Sequence, residues 1–109
     1  MNKSPVLRLT HILQSIDHII DFVDQDEQLQ DLRTLQAIFY ELVIIGEAAR
    51  DISPEYQEEF SDIPWKKMIA LRNVLAHEYW KIQRDRIFNA IQALPAIRSR
   101  IAEMIARYN

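Results

Sequence analysis

One stretch of the chain gathers hydrogen-bonding and titratable side chains among apolar ones: Leu71-Arg72-Asn73-Val74-Leu75-Ala76-His77-Glu78-Tyr79-Trp80. A histidine titrates near neutrality and can carry a proton to or from a reacting oxygen. A guanidinium forks onto a phosphate whose negative charge grows in a transition state. These are the parts needed to cut RNA without a metal: His77 to move the 2′-hydroxyl proton, Arg72 to hold the phosphate, and the Asn73 amide to orient either.

Read as a helix at about 100° per residue with Arg72 at zero, the stretch places Tyr79 near 340°, Asn73 near 100° and His77 near 140°. Arg72 and Tyr79 then share one face, and Asn73 and His77 the next. A single Arg72–His77 pair is poorly placed to grip one small group, whereas two copies related by a twofold axis would double the motif into one cleft. A homodimer is the expectation. On spacing alone a plainer reading stays open, in which Arg72 pairs with Glu47 or another acid inside the bundle and His77 sits at a helix C-terminus, where a cation is favoured.

Other candidates carry less. His11 and His18 lie seven residues apart with Asp17 and Asp21 nearby, but two histidines without a well-spaced third ligand read as solvated surface, and no metal is expected. Trp65 and Trp80 flank the motif and read as core or interface packing rather than base stacking. Gly46, beside Ala48 and Ala49, needs little beyond close helix packing.

The elements that must position the motif are helical throughout, since apolar residues recur at three and four positions and no stretch alternates long enough for a strand ladder. A first helix is predicted from Ser4 to about Asp24, with Ser4 as N-cap and Pro5 in the first turn. Asp24 to Gln30 reads as an acidic loop. A second helix carries Leu32 through Ile52 and packs antiparallel to the first. Ser53-Pro54 and Asp62-Ile63-Pro64 each read as an N-cap followed by proline, opening a short helix over 54–60 and the motif helix near Pro64. A final helical segment starts near Gln83, with Pro95 either kinking or splitting it.

The chain has 109 residues, 49% of them apolar, with one glycine and no cysteine. A chain of this size buries roughly 60–70% of its unfolded surface, enough for one core, so a single domain over 1–109 is expected. The lack of cysteine excludes disulfides, thiolate zinc sites, iron–sulfur clusters and thiol nucleophiles, and a lone glycine excludes the phosphate-cradling loops. No run of apolar residues approaches the length of a membrane span or of a signal-peptide core, so a cytoplasmic protein without membrane partners is expected. The net charge of −3 weighs against general nucleic-acid coating but is unevenly spread. Asp17, Asp21, Asp24, Asp26, Glu27 and Asp31 make one segment acidic, while Lys66, Lys67, Arg72, Lys81 and Arg84 against Glu78 make the motif region cationic.

Arg72-Asn73-(three residues)-His77-Glu78-Tyr79 resembles the R-N-xxx-H-x-Y motif of the HepT-like toxins, ribonucleases of the HEPN superfamily. Ile45-Gly46-Glu47-Ala48-Ala49, Ile63-Pro64-Trp65 and Leu94-Pro95 are similar to the pattern of that family in the same order, so the resemblance covers nearly the whole chain. It implies an antiparallel four-helix bundle with a short extra helix, homodimeric, acting as a metal-independent endoribonuclease toxin of a type VII toxin–antitoxin system. Carried over residue by residue, Arg72 and His77 are catalytic, with Asn73 and Glu47 in support. The implied partner is an MntA-like nucleotidyltransferase antitoxin that transfers AMP from ATP onto Tyr79; the toxin itself needs no cofactor. The alternative is an all-α binding subunit that presents Tyr79 to such a nucleotidyltransferase and cuts nothing itself.

Overall fold

The computed structural model describes residues 3–109, so residues 1 and 2 of the expected domain lie outside it. Five helices follow in order: α1 (Val6–Gln25), α2 (Leu32–Asp51), α3 (Pro54–Glu59), α4 (Trp65–Glu78) and α5 (Arg84–Tyr108), with a 3-10 turn over Tyr79–Lys81 between the last two. The described residues contain no strand, as the apolar periodicity predicts. None of their helices is long and apolar enough to cross a membrane.

Local signals set most of the boundaries. The Ser4 hydroxyl accepts the Val6 N–H at 3.3 Å, one of the donors a helix start leaves unpaired. Asp31 caps α2 by accepting the Arg33 N–H at 3.0 Å. At the far end of α2, Gln57 donates to the carbonyls of Ala49 and Ile52 at 3.0 and 3.1 Å, so α3 closes what the helix leaves open. Ser53 stands before Pro54 as expected but makes no capping bond.

Asp62 departs from expectation. It does not cap α4; its carboxylate takes the Arg100 guanidinium of α5 in a two-pronged bond, Nε–Oδ2 at 2.8 Å and Nη2–Oδ1 at 3.0 Å. The first bond of α4 is accepted instead by the Pro64 carbonyl, from Met68 N at 3.0 Å. Nor does Pro95 split the last segment, for α5 runs unbroken through it for 25 residues. An interior proline costs a helix about 3 kcal/mol, an amount that burial of flanking side chains such as Leu94 and Ile97 can offset.

The four long helices succeed one another in space as α5, α1, α2, α4. The fully buried side chains Leu9, Ile12, Ile16 and Ile19 of α1 meet Ile38 of α2 and Ile87, Ile101 and Met104 of α5 at the centre. On the outside, α4 and α5 do not pack closely on each other, and the seam between them stays open as a groove.

The acidic loop is more ordered than its composition predicts. The Asp26 carboxylate accepts the N–H groups of Gln30 and Asp31 at 3.0 and 2.9 Å, which holds its pKa below the ordinary aspartate value. Leu29 adopts φ 52°, a left-handed conformation that costs a branched residue roughly 1–2 kcal/mol, and is buried at 2% exposure. Arg84, at the start of α5, donates to the carbonyls of Gln28 and Leu29 at 3.0 and 2.8 Å.

His18 is exposed, as expected, but not free, and no group of three potential metal ligands occurs among the described residues. Its Nδ1 meets both oxygens of Glu41 on α2, at 3.0 and 3.1 Å, and Glu41 is only 7% exposed. The hydrogen bond and charge of Glu41, aided by Asp21 and Asp17, raise the His18 pKa; Asp17 is itself held by Arg98 of α5. A group whose pKa is raised on folding stabilises the fold fully below its unfolded value and loses that contribution as pH rises through the folded one. Melting temperature is therefore expected to fall as pH rises from slightly acidic to slightly alkaline, and Glu41→Gln is expected to flatten that slope. A thermal melt series across pH 5 to 9 checks both.

Candidate functional site

The site is built where α2 and α4 come closest, and Gly46 is the reason they can. A Cβ placed on Gly46 would lie 2.1 Å from Arg72 Cβ, 2.8 Å from Arg72 Cγ and 2.8 Å from the Met68 carbonyl oxygen. No side chain fits there. The absent side chain lets the stem of Arg72 lie directly across the α2 backbone, which turns its head toward the next residue of α2.

That residue is Glu47, whose Oε1 accepts Arg72 Nη2 at 3.2 Å. Arg72 Nη1 donates to Asn73 Oδ1 at 3.1 Å. The Arg72 side chain is 17% exposed, against 49% for Glu47, so the pair lies at the edge of the packed interior with the carboxylate outward. Arg72 Nε is buried with no partner among the described residues. Three of the expected site residues, Arg72, Asn73 and Glu47, thus form one connected unit.

His77 stands apart from this unit, five residues further along α4, about 7.5 Å along the axis and some 140° around it. It lies in the last turn of α4, exposed, and makes no hydrogen bond within the described residues. The ring is free to meet something from outside.

Tyr79 needs a correction. The helical reading that put it on the Arg72 face assumes that the helix continues, but Glu78 leaves helical space with φ −145° and ψ 45°, and α4 ends there. Tyr79 opens the 3-10 turn, 60% exposed, with its ring edge-on to Trp80 at 5.5 Å between centroids. Its direction is set by the turn and not by the period of α4.

The two tryptophans separate cleanly. Trp65 is core, 5% exposed with its indole N–H on the Phe60 carbonyl at 3.1 Å, whereas Trp80 is 67% exposed. Core packing therefore holds for the first, while the second lies outside the core of the single chain, against the Tyr79 ring.

The cationic character of the motif region is narrower than its residue count. Arg72 is paired with Glu47 and Lys81 with Glu78, and Arg84 is spent on the acidic loop. Lys66 and Lys67 remain without an acidic partner among the described residues. Sequence reasoning placed Glu47 near the site but undervalued Gly46; the signal available was a single glycine in the middle of a long helix, where it is unfavourable by about 0.5–1 kcal/mol unless something needs the space.

The family described as ribonuclease HepT-like matches residues 11–104. The chain belongs to that family. A Methanocaldococcus jannaschii protein named "Putative RNase" is 36% identical over 90 residues, covering 72% of this chain and 83% of the relative. A protein of the same name from Caldanaerobacter subterraneus is 29% identical over 109 residues, 96% and 97% of the two chains. The "Probable ribonuclease HepT" of Thermococcus cleftensis is 25% identical over 108 residues, 95% and 98% of the two. No solved structure matches. The all-α bundle agrees with membership of this HEPN-type ribonuclease family.

Glycine to alanine within an ordinary helix is stabilising. At Gly46 the sign is expected to invert: Gly46→Ala should destabilise the protein by about 1–3 kcal/mol, the usual cost of overpacking, measured by denaturant unfolding. A stabilised Gly46→Ala variant would show that α2 and α4 are not held as close as described.

Proposed function

We propose that this HepT-like ribonuclease is the toxin of a toxin–antitoxin pair, cutting RNA without metal in a cleft formed by two copies of the chain and silenced by AMP attached to Tyr79. The observation that carries the proposal is the pairing of a held Arg72 with a free His77 on one short helix. Arg72 and His77 are the catalytic residues, and Glu47 and Asn73 position the guanidinium.

In this reaction His77 accepts the proton of the 2′-hydroxyl as that oxygen attacks the adjacent phosphorus. The bond from phosphorus to the 5′-oxygen breaks, that oxygen takes up a proton, and the products are a 2′,3′-cyclic phosphate and a free 5′-hydroxyl. Arg72 stabilises the added negative charge on the non-bridging oxygens; it is already oriented by Glu47 and Asn73, so little reorganisation accompanies the charge build-up. One copy is poorly placed to bring both groups onto one phosphate, since they diverge around α4, and a twofold arrangement would supply a second His77 to protonate the leaving oxygen. The partner is an MntA-like nucleotidyltransferase using ATP as AMP donor. Phosphates on Tyr79 would add negative charge beside the motif and repel the RNA backbone.

His77→Ala is expected to lower cleavage of single-stranded RNA by about 10²–10⁴-fold and Arg72→Ala by about 10²–10³-fold, with circular dichroism and solution mass unchanged. Retained cleavage in both variants, or no turnover by the unmodified protein, overturns the proposal. Intact mass after incubation with the nucleotidyltransferase and ATP should rise by whole AMP units, and Tyr79→Phe should abolish the rise.

A further inference from the structure

The groove between α4 and α5 is lined by residues the motif does not use. Its volume is about 410 Å³, and its floor is the apolar side of α2, α4 and α5. Its charged lining consists of Lys67 and Arg86, accompanied by Asn89; no carboxylate lines it. Lys67, Arg86 and Asn89 are all exposed, and neither cation has an acidic partner among the described residues.

Five other arginines, Arg8, Arg72, Arg98, Arg100 and Arg107, each meet a carboxylate. Two cations at one apolar mouth, left without counter-charge, match an occupant that carries both an anion and an apolar body.

We propose that this groove is a nucleotide subsite for the RNA strand, with a phosphate on Lys67 and Arg86 and the attached base in the slot between the two helices. The inference rests on the ribonuclease reading above and extends it to the substrate's path. Ala70, Ala90 and Ala93, small side chains that are exposed or half-buried, line the outer part of the slot. The deeper lining is nearly covered already, with Ile45 at 2%, Leu94 at 3% and Leu71 at 7% exposure. A planar base with its own phosphate would use both the slot and the free cations.

The groove also lies on the route to the motif. Lys67 and Ala70 occupy the same side of α4 as Val74 and His77, and Lys67 is ten residues, about 15 Å, from His77 along the axis. A strand cut at His77 reaches Lys67 within a few nucleotides.

Fluorescence anisotropy with a labelled single-stranded RNA and a cleavage assay on unlabelled RNA of the same sequence test the inference. For Lys67→Ala with Arg86→Ala, affinity is expected to fall roughly tenfold or more at low salt, and the dependence of log K on log salt to lose about 1.4 of its slope, two contacts at about 0.7 each. KM should rise with kcat unchanged. Ala93→Phe, which fills the slot and keeps both charges, should weaken binding with the salt slope unchanged. Wild-type binding by either variant overturns the subsite, as does absence of RNA binding by the wild-type protein. A changed solution mass for the double variant would make the groove a subunit contact and overturns it as well. If the wild-type protein binds RNA as described but does not cut it, the catalytic proposal fails and the subsite stands.

Discussion

Everything near the motif depends on how closely two helix backbones approach at a single point. Where α2 crosses α4, the absence of a side chain on Gly46 lets the stem of Arg72 occupy the space a methyl group would need. The guanidinium then has few positions open to it, and Glu47 and Asn73 fix one of them. A long flexible side chain, which in water would sample many rotamers, is confined by packing from below and by charge from in front. The entropy of holding it is lost on folding rather than on meeting a substrate.

The rest of the molecule serves that crossing from a distance. The buried stripe of α1 braces both α2 and α5, and the His18–Glu41 contact adds a polar tie on the same α1–α2 interface. At the opposite corner α3 and Trp65 close the connection between α2 and α4, with Arg100 and Arg107 stacked over the Phe60 ring at 4.6 and 4.8 Å. Without that corner α4 would have no fixed starting point, and a helix of 14 residues depends on packing more than on its own propensity.

What could be read from the sequence divides along a physical line. Periodic burial is a local pattern, so the five helices and the apolar stripes of α1, α2 and α5 were legible in it. Contacts between distant residues leave no local trace: Asp62 looks like a cap and instead serves Arg100, and Arg84 looks like part of the motif's cationic field and instead secures a loop 55 residues away. Leu29 could not be found as a left-handed core residue, because nothing in its neighbours demands that backbone. Pro95 is the reverse case, a strong local signal for a break, overridden by the apolar residues on either side. At the motif itself, residue types pointed to Arg72, Asn73, His77 and Glu47 as a set, and the packing shows which of them are joined. The helical period misplaced Tyr79 because it carried α4 past Glu78, where the helix ends.

The early end of α4 has one more effect. From Tyr79 to Gln83 the chain is a short tether between two anchored points, the last turn of α4 and the Arg84 clasp on the loop, and the backbone bond of its own is Ile82 N–H to the Tyr79 carbonyl at 3.2 Å. Such a segment opens at low free energy on its own, without melting the helix before it. A second enzyme could draw the tyrosine ring into its own active site, release it, and leave the arginine undisturbed throughout. Tyr79 and the Arg72 unit are thus mechanically separate, so a mark placed on the tyrosine as proposed would not require the protein to unfold.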